Sequence, residues 1–192
     1  MLTMTPDELL PGICTGWQER AAEILSARPA WSALELIEAG RAAGAEPGDI
    51  LHVIFREDLM DARTLRLLAC DFAEHALCRE REAGREPDAR SWKAVEVARR
   101  YARGEATEEE LGEAWTAAWA ARDAARAATW ATYWATAEAA AWAAQAAATM
   151  SRAAAQAAAA CTAEAEREWQ LEHVEAVLRG HDTKGDANDA DT

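Results

Sequence analysis

Residues 134–161 read WATAEAAAWAAQAAATMSRAAAQAAAAC, alanine broken at intervals by tryptophan. Alanine has the highest helix propensity. Its small side chain also lets neighbouring helices approach near the lower end of the usual 8–10 Å range. The stretch belongs to a longer one: no Gly or Pro occurs between Gly112 and Gly180, and 28 of the 50 residues 114–163 are alanine. An unbroken helix over this span would be on the order of 100 Å long and would bury too little of itself. It must fold back or pair with a second copy. The expected break is Thr149-Met150-Ser151, where three weaker helix formers cluster.

The nine tryptophans matter more than their number suggests. A buried indole removes roughly 150–250 Å² from water, on the order of 4–6 kcal/mol gross against about 0.8 for one methyl group. Trp115, Trp119, Trp130 and Trp134 fall within about 100° of one another on an ideal helix, with Trp142 off that arc. They form a candidate seam for tight helix packing. An ice-binding helix is rejected, because Thr136, Thr149 and Thr162 stand 13 apart and rotate by about 140° per step. A long coiled coil lacks Leu and Ile at its a and d positions. From Ala127 to Ala148 only Glu138 is charged, but recurrent Thr and Gln and the absence of a basic flank argue against a membrane span.

Upstream, punctuation marks further helices. Thr5-Pro6-Asp7-Glu8 reads as N-cap, N1 proline and capping-box glutamate, on a helix cut short by Pro11-Gly12. A second helix is expected over Thr15 to Ala27. A third spans about Ala30 to Ala43, with Trp31, Leu34 and Ile37 or Glu38 at helical spacing and Gly44 closing it. Asp49 is a candidate N-cap for a helix burying Ile50, Val53 and Ile54; a strand here would have no partner. Asp61 caps a helix whose Leu65, Leu68, Ala69, Phe72 and Ala76 share a face, ended by Gly84. Pro87-Asp88 start the next, to about Arg103, with Ala94, Val97, Ala98 and Tyr101 on one face and Gly104 after it. Thr107 and Glu110 form another capping box. Trp169, Leu171, Val174 and Leu178 form a last amphipathic stripe.

The fold class is therefore all-α: a helical bundle with long alanine/tryptophan-rich C-terminal helices folded back as a hairpin. The expected organisation is one helical domain over 1–180, with N-terminal helices 1–48, a helical core 49–106 and Ala/Trp-rich helices 107–180. Residues 181–192 read as a disordered acidic tail.

The 192-residue chain carries 34 Asp and Glu against 20 Lys and Arg, a formal net charge of −14. Such a balance opposes direct binding to nucleic acid or anionic lipid and leaves basic proteins as partners. Cys14, Cys70, Cys78 and Cys161 lack paired short spacings, and "MLTMTPDELLPG" has neither a basic start nor an apolar run. Reduced thiols and a cytoplasmic location are expected. Cys70, Glu74 and Cys78 lie at i, i+4, i+8 with His75 adjacent, but zinc usually collects ligands from two elements. Glu168, Glu172 and Glu175 flank His173 as a charged outer face. No phosphate loop, nucleophile elbow or paired-carboxylate cleft is present. No catalytic, cofactor-binding or metal site is assigned, no cofactor is expected, and the chain reads as a non-enzyme.

"LRLLACDFAEHAL" (65–77), then "SWKAVEVARRYARGEATEEEL" (91–111), then alanine-rich helix, resembles the alanine-rich helical immunity proteins of bacteria and phages. The matching residues are Leu68, Ala69, Cys70, Ala73 and Leu77, then Lys93 to Thr107, within a resemblance covering about 49–161. It implies an inhibitor of a cognate toxin and carries over no binding residue. An acidic helical protein can neutralise a basic toxin by complementary charge, and the N-terminal helices with the tail are the expected contact surface. Two alternatives stand beside it: a structural or oligomerisation module built on the Ala/Trp helices, and an acidic DNA-mimic decoy in phage–host conflict.

Overall fold

The computed structural model describes residues 2–13, 15–127 and 164–188, and the side chains of all of these except 121–127, 164 and 181–188. The expected hairpin, its break at 149–151, the segment 127–148 weighed and rejected as a membrane span (beyond its first residue), and Trp130, Trp134 and Trp142 lie outside the described residues.

The described chain is all-α, with packed helix pairs and one minimal strand pairing. Strand β1 (Thr3–Met4) leads into α1 (Pro6–Leu9) and a 3-10 turn (Leu10–Gly12). Then come α2 (Gln18–Leu25), β2 (Trp31–Ser32), α3 (Ala33–Ala43), α4 (Pro47–Ile54), α5 (Ala62–Glu82), α6 (Ala89–Ala102), α7 (Glu108–Ala127) and α8 (Glu164–Asn188). They form two compact units, Met1–Asp61 with Glu164–Thr192, and Ala62–Ala163. The units divide the chain at 61/62 and 163/164. The reason is packing: α4 lies on α3 and α8, whereas α5 and α7 both lie on α6.

Several helix ends follow the sequence. Thr5 donates its N–H and its hydroxyl to Glu8 Oε2, each at 2.8 Å. Thr107 donates its N–H to Glu110 Oε2 at 2.8 Å, and Glu110 returns its N–H to Thr107 Oγ1 at 3.2 Å. Gly44 closes α3 in the left-handed conformation, φ 72°, which glycine adopts without strain. Asp88 caps α6 through the Arg90 N–H. Helix α5 starts directly after Asp61.

Other ends differ. Helix α2 begins at Gln18, not Thr15, because Thr15-Gly16-Trp17 form a turn and Trp17 supplies no side-chain cap bond. Helix α3 begins at Ala33 because Trp31 and Ser32 pair antiparallel with Met4 and Thr3. Its buried residues are Ala33, Leu36 and Ile37; Leu34 is half-buried. Helix α4 is capped at Glu46, with Pro47 at the first position and Asp49 one turn inside. Proline fits there because its missing N–H is an orphan anyway. Helix α8 runs through Gly180 to Asn188, so the expected tail begins inside a helix. Each of its two interior glycines, Gly180 and Gly185, costs about 1 kcal/mol relative to alanine, and an interior glycine does not by itself end a helix.

The second unit packs on alanine. Cys70, Ala73 and Leu77 of α5 meet Ala94, Val95, Val97 and Ala98 of α6 and Leu111, Ala114 and Ala118 of α7, all buried. Its α5 is closed by Arg85, whose N–H donates to the Glu80 carbonyl at 2.9 Å. The Arg85 guanidinium holds the buried Glu80 carboxylate in a two-point clasp at 2.6 and 2.9 Å.

In the first unit Ser32 donates its N–H to Glu35 at 2.8 Å and its hydroxyl at 2.9 Å. These bonds, then the Arg28 guanidinium, hold the Glu35 carboxyl below its ordinary value. A carboxyl whose folded pKa is depressed stabilises above its unfolded pKa and stops doing so as pH falls through the folded value. Wild type should therefore exceed Glu35→Gln in stability at neutral pH by a few tenths to about 1 kcal/mol, since the site is partly exposed. In urea titrations the gap should close below the ordinary carboxylate range. A gap independent of pH would show that ionisation of Glu35 contributes nothing.

Candidate functional site

Helix α5 separates the residues considered for a metal. Cys70 is fully buried in the alanine core, and burial pushes its thiol up to about 12. Glu74 is exposed one turn on and pairs with Arg99 of α6. Cys78 is half-buried, its sulfur accepting from Arg81 Nη2 at 3.8 Å. Among the described residues no three His, Cys, Asp or Glu gather closely enough to hold a metal ion. The two thiols should react very differently. Burial both keeps the Cys70 thiol protonated and shields it, so iodoacetamide should modify Cys78 and leave Cys70 intact until the protein unfolds. Peptide mapping that found both modified at equal rates would contradict the buried placement of Cys70.

On α8 two of the acids around His173, Glu168 and Glu175, are drawn into a structural network. Arg41 of α3 bonds Glu168 at 2.7 Å and lies 3.8 Å from Glu175, which Arg179 also pairs. His173 stacks on Trp169 with ring centroids 5.1 Å apart. Leu171, Val174 and Leu178 are buried as expected, while Trp169 is half-buried and Gln170 takes a fully buried place. The charged ring around His173 thus ties α8 to α3. Of the indole seam, Trp119 packs on the second unit's core and Trp115 meets it edge-on at 6.1 Å, itself 39% exposed.

Charge is divided unequally. The sequence of the first unit has 20 Asp and Glu against 7 Lys and Arg, a net of −13; that of the second has 14 against 13, a net of −1. Five of the first unit's six arginines are turned onto their own neighbours. Arg20 lies over the Trp17 ring, and Arg28 over Trp31 while pairing Glu35. Arg41 bonds Glu168 of α8, Arg179 of α8 pairs Glu175 and lies 3.8 Å from Glu38 of α3, and Arg56 donates to the Glu8 carbonyl at 3.3 Å. Exposed Asp7, Glu19, Glu23, Glu46, Asp58 and Glu172 have no cation within ion-pair distance among the described residues. Their field is therefore open to a partner.

The same unit contains an apolar cavity of about 90 Å³ between α2, α3 and α4. One wall is Trp17, Ala21, Ile24 and Leu25; the second is Leu36, Ala39, Gly40 and Ala43; the third is Ile50, Val53 and Ile54. Asp49 and His52, one turn apart on α4, are its only polar lining side chains. Gly40 makes room for Ile50: a Cβ there would lie 2.7 Å from Ile50 Cγ1, so any side chain would require Ile50 or the helices to shift. The short α2 is tied at its ends, by Gln18 Nε2 donating to the Ile13 carbonyl at 3.1 Å and by Trp31 Nε1 donating to the Leu25 carbonyl at 3.0 Å. Between these ties only Leu25 is fully buried, and the middle of α2 forms the cavity wall.

Sequence reading missed this cavity. The available signal was Ala39-Gly40 and Ala43 on one side of α3, a small-residue patch facing two apolar helices. An isolated glycine inside a helical pattern marks such a close approach.

No helix among the described residues is long and apolar enough to cross a membrane. Neither a family model, nor a curated protein, nor a solved structure matches the chain.

Proposed function

We propose that the chain is a binding protein, not an enzyme, that neutralises a basic partner by covering its cationic surface with the acidic helices of the first unit. The best-fitting partner class is a basic toxin, with this chain as its cytoplasmic immunity protein. The observation that carries the reading is the separation of charge. Nearly the whole net charge of −14 belongs to one unit, and five of that unit's six arginines are engaged internally while six exposed carboxylates have no cation within ion-pair distance among the described residues. A uniformly acidic solubility coat would not need to leave the other unit close to neutral. Like charge gathered on one unit costs self-repulsion, and it gains steering and complementarity toward a cation-rich surface. The motif resemblance in 65–77 and 91–111 points to the same class.

The test is co-expression with basic toxin domains encoded beside the gene. Wild type should restore growth. A variant carrying Glu19→Lys, Glu23→Lys, Asp58→Lys and Glu172→Lys should not, although it stays folded by circular dichroism. Equal protection by the folded variant would overturn the electrostatic reading.

A second reading draws on a different observation. Trp115 is 39% exposed and rests edge-on against Trp119, an apolar spot suited to self-association. A solution mass of twice the 20.8 kDa chain, halved by Trp115→Ser, would favour an oligomerisation module.

A further inference from the structure

The cavity in the first unit is apolar on three sides and carries one carboxylate. Its volume of about 90 Å³ is well below the ~150 Å³ of an apolar cavity that accommodates benzene. A branched aliphatic group fits it better than an aromatic ring. Its walls, from Trp17 and Ile24 across to Leu36 and Ile50, are hydrocarbon apart from the Trp17 indole, Asp49 and His52. The charged group at its edge is Asp49, and no Lys or Arg lines it. A guest must therefore present hydrocarbon to the walls, and a cation beside it gains from the carboxylate while an anion loses. This pairing of an apolar socket with an acidic edge sits within a unit of net charge −13. Protein interfaces concentrate their binding energy in such sockets, filled by one side chain and ringed by polar contacts.

We propose that the cavity is the anchor of the binding face: it takes one branched aliphatic side chain of the basic partner protein, with the partner's adjoining lysine or arginine on Asp49. The proposal rests on the reading of the partner as a basic protein. Shape supplies the part of specificity that charge cannot. Carboxylates on exposed helices attract any cationic surface, whereas the socket admits only a partner with a Val- or Leu-sized group next to a cation.

Two experiments on the full chain test it. The first needs no partner. Isoamylamine, isoamyl alcohol and isovalerate carry the same hydrocarbon with a positive, neutral and negative end, and each is titrated by NMR. Saturable shifts are expected at the Trp17 indole and at the Ile24 and Ile50 methyl groups, with the amine binding about three-fold tighter than the alcohol and the carboxylate weakest. Asp49→Asn should bring the amine to the alcohol's affinity. Absence of saturable shifts at these residues, or no preference for the amine, overturns the proposal.

The second experiment fills the socket without touching any charge. Ala21→Leu and Ala43→Leu keep good helix formers in place and should melt no lower than wild type. Each should bind the toxin domain at least ten-fold more weakly. Wild-type binding by both folded variants would overturn the anchor while leaving the acidic-face reading standing. A charge-reversed variant that still protects would sink the acidic face, and the amine titration would report on the socket independently.

Discussion

Leu111→Ala is expected to destabilise the second unit by about 2–5 kcal/mol, toward the upper end of that range. The position is 1% exposed, on the first turn of α7, and its neighbours in the core are mainly alanines of α5, α6 and α7. Deleting a buried leucine costs the transfer of its carbons plus the cavity left behind, and the second part depends on how far the surroundings collapse. Alanine neighbours have no side chain to swing into the gap. Collapse would need the helix backbones to move, and these are already close. The core also has few large members to share the loss, with Leu77, Val95 and Val97 the other sizeable aliphatics. The reverse change argues the same point: Ala98→Leu inserts carbons where two helices touch and should cost about 1–3 kcal/mol. Urea unfolding should show a lower midpoint for both variants with an unchanged slope. A loss under 1 kcal/mol for Leu111→Ala would mean that α7 is held on α6 by something other than this core.

Helix identity was legible because its signals are local. The capping pairs Thr5–Glu8 and Thr107–Glu110 form as their spacing predicts, and Gly44 sits left-handed where the apolar pattern of α3 runs out. Segment 47–54, rich in Ile, Leu and Val, is helical because no strand lies ready to pair with it, as the chain-wide reading required. What failed was long-range. Trp31 fits an i, i+3 apolar rhythm, yet it is held outside α3 by a two-residue pairing with Met4, which no local pattern announces. The division into two units is long-range in the same way. Helix α8 closes back on α3 and α4 across more than a hundred residues, and the arginine that secures it, Arg41, looks in sequence like any surface cation. The acidic balance was plain in composition, but its confinement to one unit appears only once the chain is divided at 61 and 164. The cavity was hidden because it is made by an absence, the missing side chain of Gly40.

Reversing four charges on the first unit should slow association with a basic toxin domain by roughly 10²-fold at low ionic strength, within the 10–10³ range for electrostatically steered encounters. The four substitutions at Glu19, Glu23, Asp58 and Glu172 each add two charges, taking the unit from −13 to −5. All four side chains are exposed, so packing is preserved, and the dissociation rate should change little because rim charges act mainly on encounter. The internal arginine contacts are untouched, since Arg28, Arg41 and Arg179 use Glu35, Glu168 and Glu175 instead. Salt should erase the difference. At about 1 M ionic strength the Debye length falls to about 3 Å, and wild type should slow to nearly the variant's rate. The socket lined by Trp17, Ile24 and Ile50 should behave in the opposite way. Filling it should raise the dissociation rate, with little dependence on salt, because hydrocarbon contact forms after encounter. Stopped-flow association and dissociation rates at two salt concentrations separate the two contributions. If the charge variant altered dissociation alone, the exposed carboxylates would be direct contacts and the unit's net field would play no part in finding the partner.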